Sequence, residues 1–356
     1  MKVVVDDKIP YIRGVIERMA DEVVYAPGAD INSRLVSDAD ALIVRTRTRC
    51  DEALLRGSRV KFIATATIGY DHIDADYCAR AGIVWTNAPG CNADSVAQYV
   101  KSALLLLQRH VLCRPLAGLT IGVVGVGHVG SRVARVAGGL GMHVLLNDPP
   151  RQATEHDDIT FSPLGRLTAD CDIITFHTPL SRGPFPTYHL CDEAFLRRLR
   201  RKPIIINTSR GEVVDNAALL RAIDEGQVGQ AVIDVWEGEP HPNLELLQRV
   251  FLGTPHIAGY SADGKANATR MVLEAFARHF GIDCPFSIAP PPPVHPHIRA
   301  CTREDAALQI YNPMSDSRRL KSDPAGFEYQ RGHYPLRREE GAYLVETEEE
   351  SGRDRG

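Results

Sequence analysis

Arg210, Glu239 and His256 each follow a short apolar run that reads as a strand. Together they carry the groups needed to oxidise a hydroxyl beside a carboxylate. A guanidinium holds a carboxylate through two parallel hydrogen bonds. An imidazole accepts a hydroxyl proton near neutral pH. A carboxylate on the other ring nitrogen fixes the tautomer and stabilises the cation that forms. Taken singly, each residue has an ordinary alternative: a surface charge, a turn carboxylate, and a loop residue after a proline. Their shared position after strands of one sheet favours the chemical reading. His177 and His72 occupy similar loops, but no acid pairs with either, and both read as structural.

A hydride acceptor is implied by Leu119 to Asp148. The run Leu119–Val124 enters GVGHVG, which sets Gly125, Gly127 and Gly130 at GxGxxG spacing. Val129, Val133, Ala137 and Leu140 then recur at three- and four-residue steps, as on one face of a helix. A second apolar run, Val144–Leu146, ends on Asp148. The first glycine permits a tight turn, the second lets backbone approach a pyrophosphate, and the third lets helix and strand pack closely. The pyrophosphate would sit at the helix N-terminus. Asp148 can accept hydrogen bonds from ribose hydroxyls and would repel a 2′-phosphate, so NAD is expected rather than NADP. A lone GxGxxG is weak. Strand, glycines, helix, strand and terminal acid in sequence are strong.

The elements that would position these groups alternate in α/β fashion. Lys2–Val5, Ala41–Val44, Lys61–Ala64 and Ile83–Trp85 read as strands of a smaller parallel-sheet unit. The loops Arg45–Thr48 and Thr65–Asp71 follow two of them, where ligands of open α/β sheets bind. Arg45 or Arg47 can meet an anion there or remain a solvated charge. Asn92 or Asp94 can cap a buried helix running to about Leu112. Further strands are expected at Ile173–Phe176, Ile204–Ile206 and Ala231–Val235, with helical segments at Asp192–Leu199 and Asn216–Asp224 and a last helix through about Phe280. Strands apolar on both faces imply helices on both sides. Pro290 to Pro293 reads as a stiff extended linker. Beyond it the chain is polar with a few apolar positions, either a small domain or partly disordered. The closing ETEEE and SGRDRG are expected to be disordered.

Composition bounds the partners. The chain has 356 residues, enough for two or three domains, and a net charge of −4 without a basic stretch, so nucleic acid is not the expected partner. No apolar run approaches membrane-spanning length, and the N-terminus lacks an export signal's apolar core. Eight scattered cysteines with no CxxC pair argue against a zinc site or a disulfide framework and suggest a cytoplasmic protein. No metal is expected.

NTSRGEVVD, DVWEGEP and PHIAGY, with GVVGVGHVG upstream, resemble the D-isomer-specific 2-hydroxy acid dehydrogenases over roughly residues 1–285. The resemblance implies a Rossmann NAD-binding domain (93–256) inserted into a flavodoxin-like substrate domain (1–92 and 257–285), with Arg210, Glu239 and His256 catalytic. VDDKIPY, ALIVRTRT, KFIATATIGYDHID, NAPGCNA, NDPPR, TFHTPL and HIAGYSADGKA are similar to the branch acting on a phosphorylated four-carbon 2-hydroxy acid. That likeness makes Thr46, Thr67, Ile68, Gly69 and Tyr260 substrate contacts. It makes Gly125, Gly127, His128, Val129, Gly130, Asp148, Thr178, Thr208, Ser209, Asp234 and Gly259 cofactor contacts. Lys265 is a candidate for the substrate phosphate, from its charge. Closure of the two domains would exclude water. Residues 286–356 would hold the linker and a dimerisation-like region, and a homodimer is expected, although the chain stops early relative to that region. Ser209 stands where a cysteine is usual. Two alternatives stay open: a phosphoglycerate- or glyoxylate-type dehydrogenase, or a non-catalytic NAD-sensing scaffold, since the same fold serves transcriptional corepressors.

Overall fold

The structure, a computed structural model, describes residues 1–155 and 159–348. The chain divides into two compact units, residues 1–92 with 261–292, and residues 93–260 with 293–356. In the first, short runs rich in Val, Ile and Ala form β1 (Lys2–Asp6), β2 (Glu22–Ala26), β3 (Ala41–Val44), β4 (Phe62–Thr65) and β5 (Val84–Thr86). They pair in parallel in the order β2-β1-β3-β4-β5, which is the flavodoxin-like order. β3 and β4 are buried along their whole length. The helix Ala262–Phe280 covers one face, where Val272, Leu273 and Phe276 pack with Val3, Val5, Ile43 and Phe62. β2 is not announced by the sequence, because an edge strand of EVVYA needs only partial burial.

The second unit holds six parallel strands, β6 (Thr120–Val124), β7 (His143–Asn147), β8 (Ile173–Phe176), β9 (Ile204–Asn207), β10 (Gln230–Ile233) and β11 (Leu252–Gly253). Their order is β11-β10-β9-β8-β6-β7, so the chain reverses direction of growth between β6 and β8. That switch point is where open sheets of this kind bind dinucleotides. The helix Ala93–Leu107 is buried almost all round, as its apolar composition requires. The expected helix to Leu112 changes at Gln108, where a wider five-residue turn runs to Leu112 and ends at Cys113 with a positive φ of 51°. Neither expected side chain caps it: the Asn92 oxygen is buried without a partner, and Asp94 bonds Arg132 instead. The segment expected to be helical from Asp192 to Leu199 is regular only over Glu193–Leu196, capped by Asp192.

The C-terminal stretch corrects the sequence reading most. It forms helices Arg303–Ile310, Met314–Ser322 and Phe327–Gly332, and a parallel pair of strands, β12 (His297–Ala300) with β13 (Leu344–Thr347). Glu346 and Thr347, part of the tail expected to be disordered, lie in β13, and the rest of that expectation from residue 349 on falls outside the described residues. Leu320 and Phe327 are fully buried in the core under β8, β9 and β10. Hydrophobic burial of those two side chains, invisible to a periodicity test in so polar a stretch, joins it to the second unit. Phe327→Ala should destabilise that unit by about 3–5 kcal/mol, the range for a buried aromatic truncated to alanine. Thermal denaturation followed by circular dichroism measures it, and an unchanged midpoint would show that Phe327 is dispensable.

Candidate active site

The three glycines occupy three different environments. Gly125 has φ +84°, and a side chain there would meet the His177 carbonyl and Thr178 Cγ2 at 2.8 Å, directly across the switch point. Gly127 faces open space, as backbone that receives a phosphate must. A Cβ on Gly130 would lie 1.9 Å from the Gly125 carbonyl oxygen, so only glycine lets the helix His128–Gly139 approach the turn. His128 and Val129 open that helix with their backbone at its N-terminus.

Asp148 directly follows β7 and is nearly buried, its Oδ2 accepting from the Val126 amide at 2.8 Å and its Oδ1 from the Arg151 amide at 3.1 Å. Its carboxylate is thereby locked beside the glycine turn. Thr178 has a buried hydroxyl without a protein partner, an orphaned polar atom at the same turn. Open backbone at Gly127, the fixed carboxylate and the unpartnered hydroxyl fit a dinucleotide. Thr208 lies near His177 Nδ1 at 3.3 Å, and Ser209 is buried with its hydroxyl on Asn207 Oδ1 at 2.9 Å. His177 has its Nε2 on the Thr175 hydroxyl, and desolvation of the ring drives its pKa down to about 3. His72 is held by Thr65 at 2.9 Å, and burial lowers it too. Neither has an acid on its ring.

His256 does. Its Nδ1 lies 2.8 Å from Glu239 Oε2. Glu239 Oε1 meanwhile accepts from the Trp236 amide at 2.9 Å, which sets the carboxylate's orientation. Burial would raise Glu239, but the hydrogen bond and charge of His256, the Trp236 amide and the Arg331 guanidinium outweigh it and hold the carboxyl below its ordinary range. The His256 backbone has φ +57°, sparsely populated for a residue with a side chain. Asp234 explains how it is kept there. Fully buried, it accepts from the Thr254 hydroxyl (2.6 Å) and the amides of Ile257 and Ala258 (both 2.9 Å), while its own carbonyl receives the His256 amide at 2.7 Å. Tyr99, from the long buried helix, bonds Thr254 from behind. Asp234, expected as a cofactor contact, thus also organises the histidine loop.

Arg210 is tied to the same framework through backbone. Its carbonyl receives Asn207 Nδ2 at 2.9 Å, and a Cβ on the next residue, Gly211, would collide with the Trp236 carbonyl at 2.0 Å. The residue carrying the guanidinium is therefore next in the chain to one packed on Trp236, whose amide orients Glu239. One guanidinium N–H is used on the Ser209 carbonyl at 2.7 Å. Gly259 and Tyr260 continue the His256 loop, and the Tyr260 hydroxyl accepts from Arg331 Nε at 3.2 Å.

Sequence reasoning missed two arginines. Arg337 uses its guanidinium on the carbonyls of Ile257, Ala258, Tyr260 and Ser95 and on Gln98 Oε1, at 2.6–3.2 Å, clamping the histidine loop to the long helix. Arg331 reaches Tyr260 and Glu239. Both lie in a polar stretch with no motif, so no residue pattern could have marked them. A second acid-backed imidazole, His189 with Glu237 at 2.5 Å, also went unseen; Glu237 simultaneously holds the Asn216 amide.

In the first unit, Arg45 makes two 3.1 Å bonds to the buried Asp6 carboxylate across the β1/β3 switch point. Thr46 is exposed in the following turn, and Arg47 is exposed beside it. Thr67 bonds Thr65 and the Gly69 carbonyl, both at 2.8 Å, and Asn87 holds the Ile68 carbonyl at 2.7 Å, fixing the loop's shape. Among the described residues no cluster of His, Cys, Asp and Glu is placed to hold a metal, and no helix is long and apolar enough to cross a membrane. None of the eight cysteines is joined in a disulfide.

A glycine turn fitted to a dinucleotide, facing strand ends that carry an acid-backed imidazole and an arginine, defines a NAD-dependent dehydrogenase of α/β architecture. Known proteins agree. Residues 92–258 match the model of the D-isomer specific 2-hydroxyacid dehydrogenase NAD binding domain. The erythronate-4-phosphate dehydrogenase of Bacteroides thetaiotaomicron is 59% identical over 346 residues, 97% of this chain and 99% of the relative. Among solved structures, D-lactate dehydrogenase from Aquifex aeolicus complexed with NAD and lactic acid is similar with a TM-score of 0.64 at 27% identity, covering 79% of this chain and 96% of that one. NAD+-bound 3-phosphoglycerate dehydrogenase of Entamoeba histolytica aligns with a TM-score of 0.65 at 28% identity, over 79% and 95%. The chain belongs to the D-isomer specific 2-hydroxyacid dehydrogenase family. The Bacteroides relative is matched almost to its full length.

Two outcomes follow from the geometry. Gly130→Ala places a methyl where the Gly125 carbonyl stands, so NAD affinity should fall at least about tenfold, although alanine is favoured over glycine in a helix by about 1 kcal/mol. Fluorescence titration reads it, and unchanged affinity would show that the turn can relax. The lowered pKa of Glu239 contributes stability that is present above the ordinary value near 4.5 and is lost as pH falls through the lower folded value. Wild-type and Glu239→Gln melting midpoints should therefore differ most above that value and converge on acidification; a constant gap would exclude the linkage.

Proposed function

We propose that this NAD-dependent dehydrogenase oxidises 4-phospho-D-erythronate at its 2-hydroxyl to (R)-3-hydroxy-2-oxo-4-phosphooxybutanoate, a step of pyridoxal 5′-phosphate biosynthesis, as a cytoplasmic homodimer. The observation that carries the chemistry is the 2.8 Å bond between His256 Nδ1 and Glu239. With Nδ1 committed to the acid, Nε2 is the ring nitrogen that takes the hydroxyl proton, and Glu239 stabilises the resulting cation. The Arg210 N–H groups not used on Ser209 grip the substrate carboxylate and polarise the neighbouring oxygen. NAD, when bound, supplies the two-electron acceptor. Gly125, Gly127, His128, Val129 and Gly130 are assigned to its pyrophosphate, and Asp148 to its ribose. Thr178, Thr208, Ser209, Asp234 and Gly259 complete its contacts.

Thr46, Thr67, the Ile68 and Gly69 backbone and Tyr260 are assigned to the substrate. The name of the Bacteroides relative supports the four-carbon phosphorylated acid. So does a local pair of cations in the first unit: Lys265, its pKa lowered by burial and then by the nearby Arg45, stands with that arginine where a phosphate dianion could be met.

Steady-state kinetics test the assignment. His256→Ala should lower kcat by about 10²–10⁴-fold, the usual worth of a general base. Arg210→Ala should raise KM and lower kcat together. Near wild-type turnover in either removes that residue's role. The highest kcat/KM should fall on 4-phosphoerythronate; preference for phosphoglycerate or glyoxylate reassigns the substrate. Binding of NAD without turnover of any 2-hydroxy or 2-oxo acid would instead indicate a sensing scaffold.

A further inference from the structure

Arg331 stands at the catalytic pair although it lies outside the family-matched segment, residues 92–258. It sits in the last turn of the helix Phe327–Gly332. That helix is held at one side by the buried Phe327 and beyond its end by Arg337, which fastens the chain to the histidine loop. Arg331 Nη1 lies 4.0 Å from Glu239 Oε2, the same oxygen that His256 Nδ1 contacts, and its Nε donates to the Tyr260 hydroxyl at 3.2 Å. The side chain is only 29% exposed, so its charge is incompletely screened.

We propose that Arg331 is a positioning residue for the Glu239–His256 pair, sharing Glu239 Oε2 with the imidazole and limiting how strongly the acid stabilises the protonated ring. The inference rests on His256 being the base. A carboxylate with a single cationic partner holds an imidazolium tightly and so favours the protonated ring that cannot accept the substrate proton. A second cation on the same oxygen draws off part of that attraction. The ionisable groups around His256 in its own unit are Glu239 on its ring, Asp234 beneath its backbone, Tyr260 beyond it, and Arg331, Glu328 and Arg337 from the C-terminal stretch. Arg337 is engaged with backbone carbonyls and Gln98, and Glu328 lies 3.9 Å from Arg331. Arg331 is the cation on the shared oxygen. Its bond to Tyr260 couples the same guanidinium to the loop that carries the histidine.

The pH dependence of kcat/KM in the oxidative direction separates this role from simple packing. In Arg331→Gln the imidazolium loses a repulsive neighbour, so the acid limb should move to higher pH by about half a unit, with NAD affinity unchanged. Arg331→Lys keeps the charge, and its acid limb should stay near that of the wild type. If the glutamine variant no longer binds NAD, Arg331→Met, which keeps an unbranched apolar side chain without charge, is read in its place. An unmoved acid limb in the neutral variant, or equal movement in the neutral and lysine variants, overturns the proposal. His256→Ala serves as the control for the underlying reading. Loss of its turnover beside an unmoved limb removes only the role of Arg331, whereas near wild-type turnover removes His256 as the base and Arg331 with it.

Discussion

The buried carboxylate of Asp234 is the constraint on which the geometry of the histidine loop depends. A charge so deep is tolerated only if its hydrogen-bonding capacity is met. Here the Thr254 hydroxyl and two successive amides meet it, and all three come from the segment that follows β11. That demand curls residues 254–258 around the end of β10 and forces His256 into a left-handed backbone conformation. The imidazole then arrives at Glu239, whose own orientation is set by the Trp236 amide three residues upstream. Strain at one residue is thus offset by a satisfied buried anion beneath it.

Both units apply one architectural rule to different ends. Each is a parallel sheet whose order reverses once, and each places polar groups at that reversal. In the second unit the reversal carries a glycine turn too tight for any side chain at Gly125 or Gly130. In the first it carries an arginine braced by a fully buried aspartate, with Lys265 near the same guanidinium. The scaffolds are alike; the chemistry of the two crevices differs because different side chains follow the strands.

Much of this was legible in the residues. Strands buried on both faces announce themselves as apolar runs, so Ala41–Val44 and Ile173–Phe176 coincide with their observed limits. Gly125, Gly127 and Gly130 declared a turn, an open face and a close approach through spacing alone. Edge strands were legible only in part: β5 and β7 show as the runs Ile83–Trp85 and Val144–Leu146, whereas β2 is only partly buried and β11 has only two residues. Nor was the C-terminal stretch, whose place is set by a few buried side chains and two arginines acting on carbonyls distant in sequence. Hydrogen bonds to backbone carry no residue-type signal at the receiving end, so Arg337 could not be inferred from the loop it holds. The pairing of Glu239 with His256 was inferable from chemistry, but the sharing of Glu239 with Arg331 needed coordinates.

The clamp made by Arg337 also orders events in time. It grips carbonyls at Ile257, Ala258 and Tyr260 from about eighty positions downstream. Chains emerge from the ribosome N-terminus first and domains fold as they emerge. Both large sheets can therefore assemble during synthesis while the histidine loop still lacks its fastening. Fastening of the histidine loop is deferred until Arg337 has been made, well after the strands it braces.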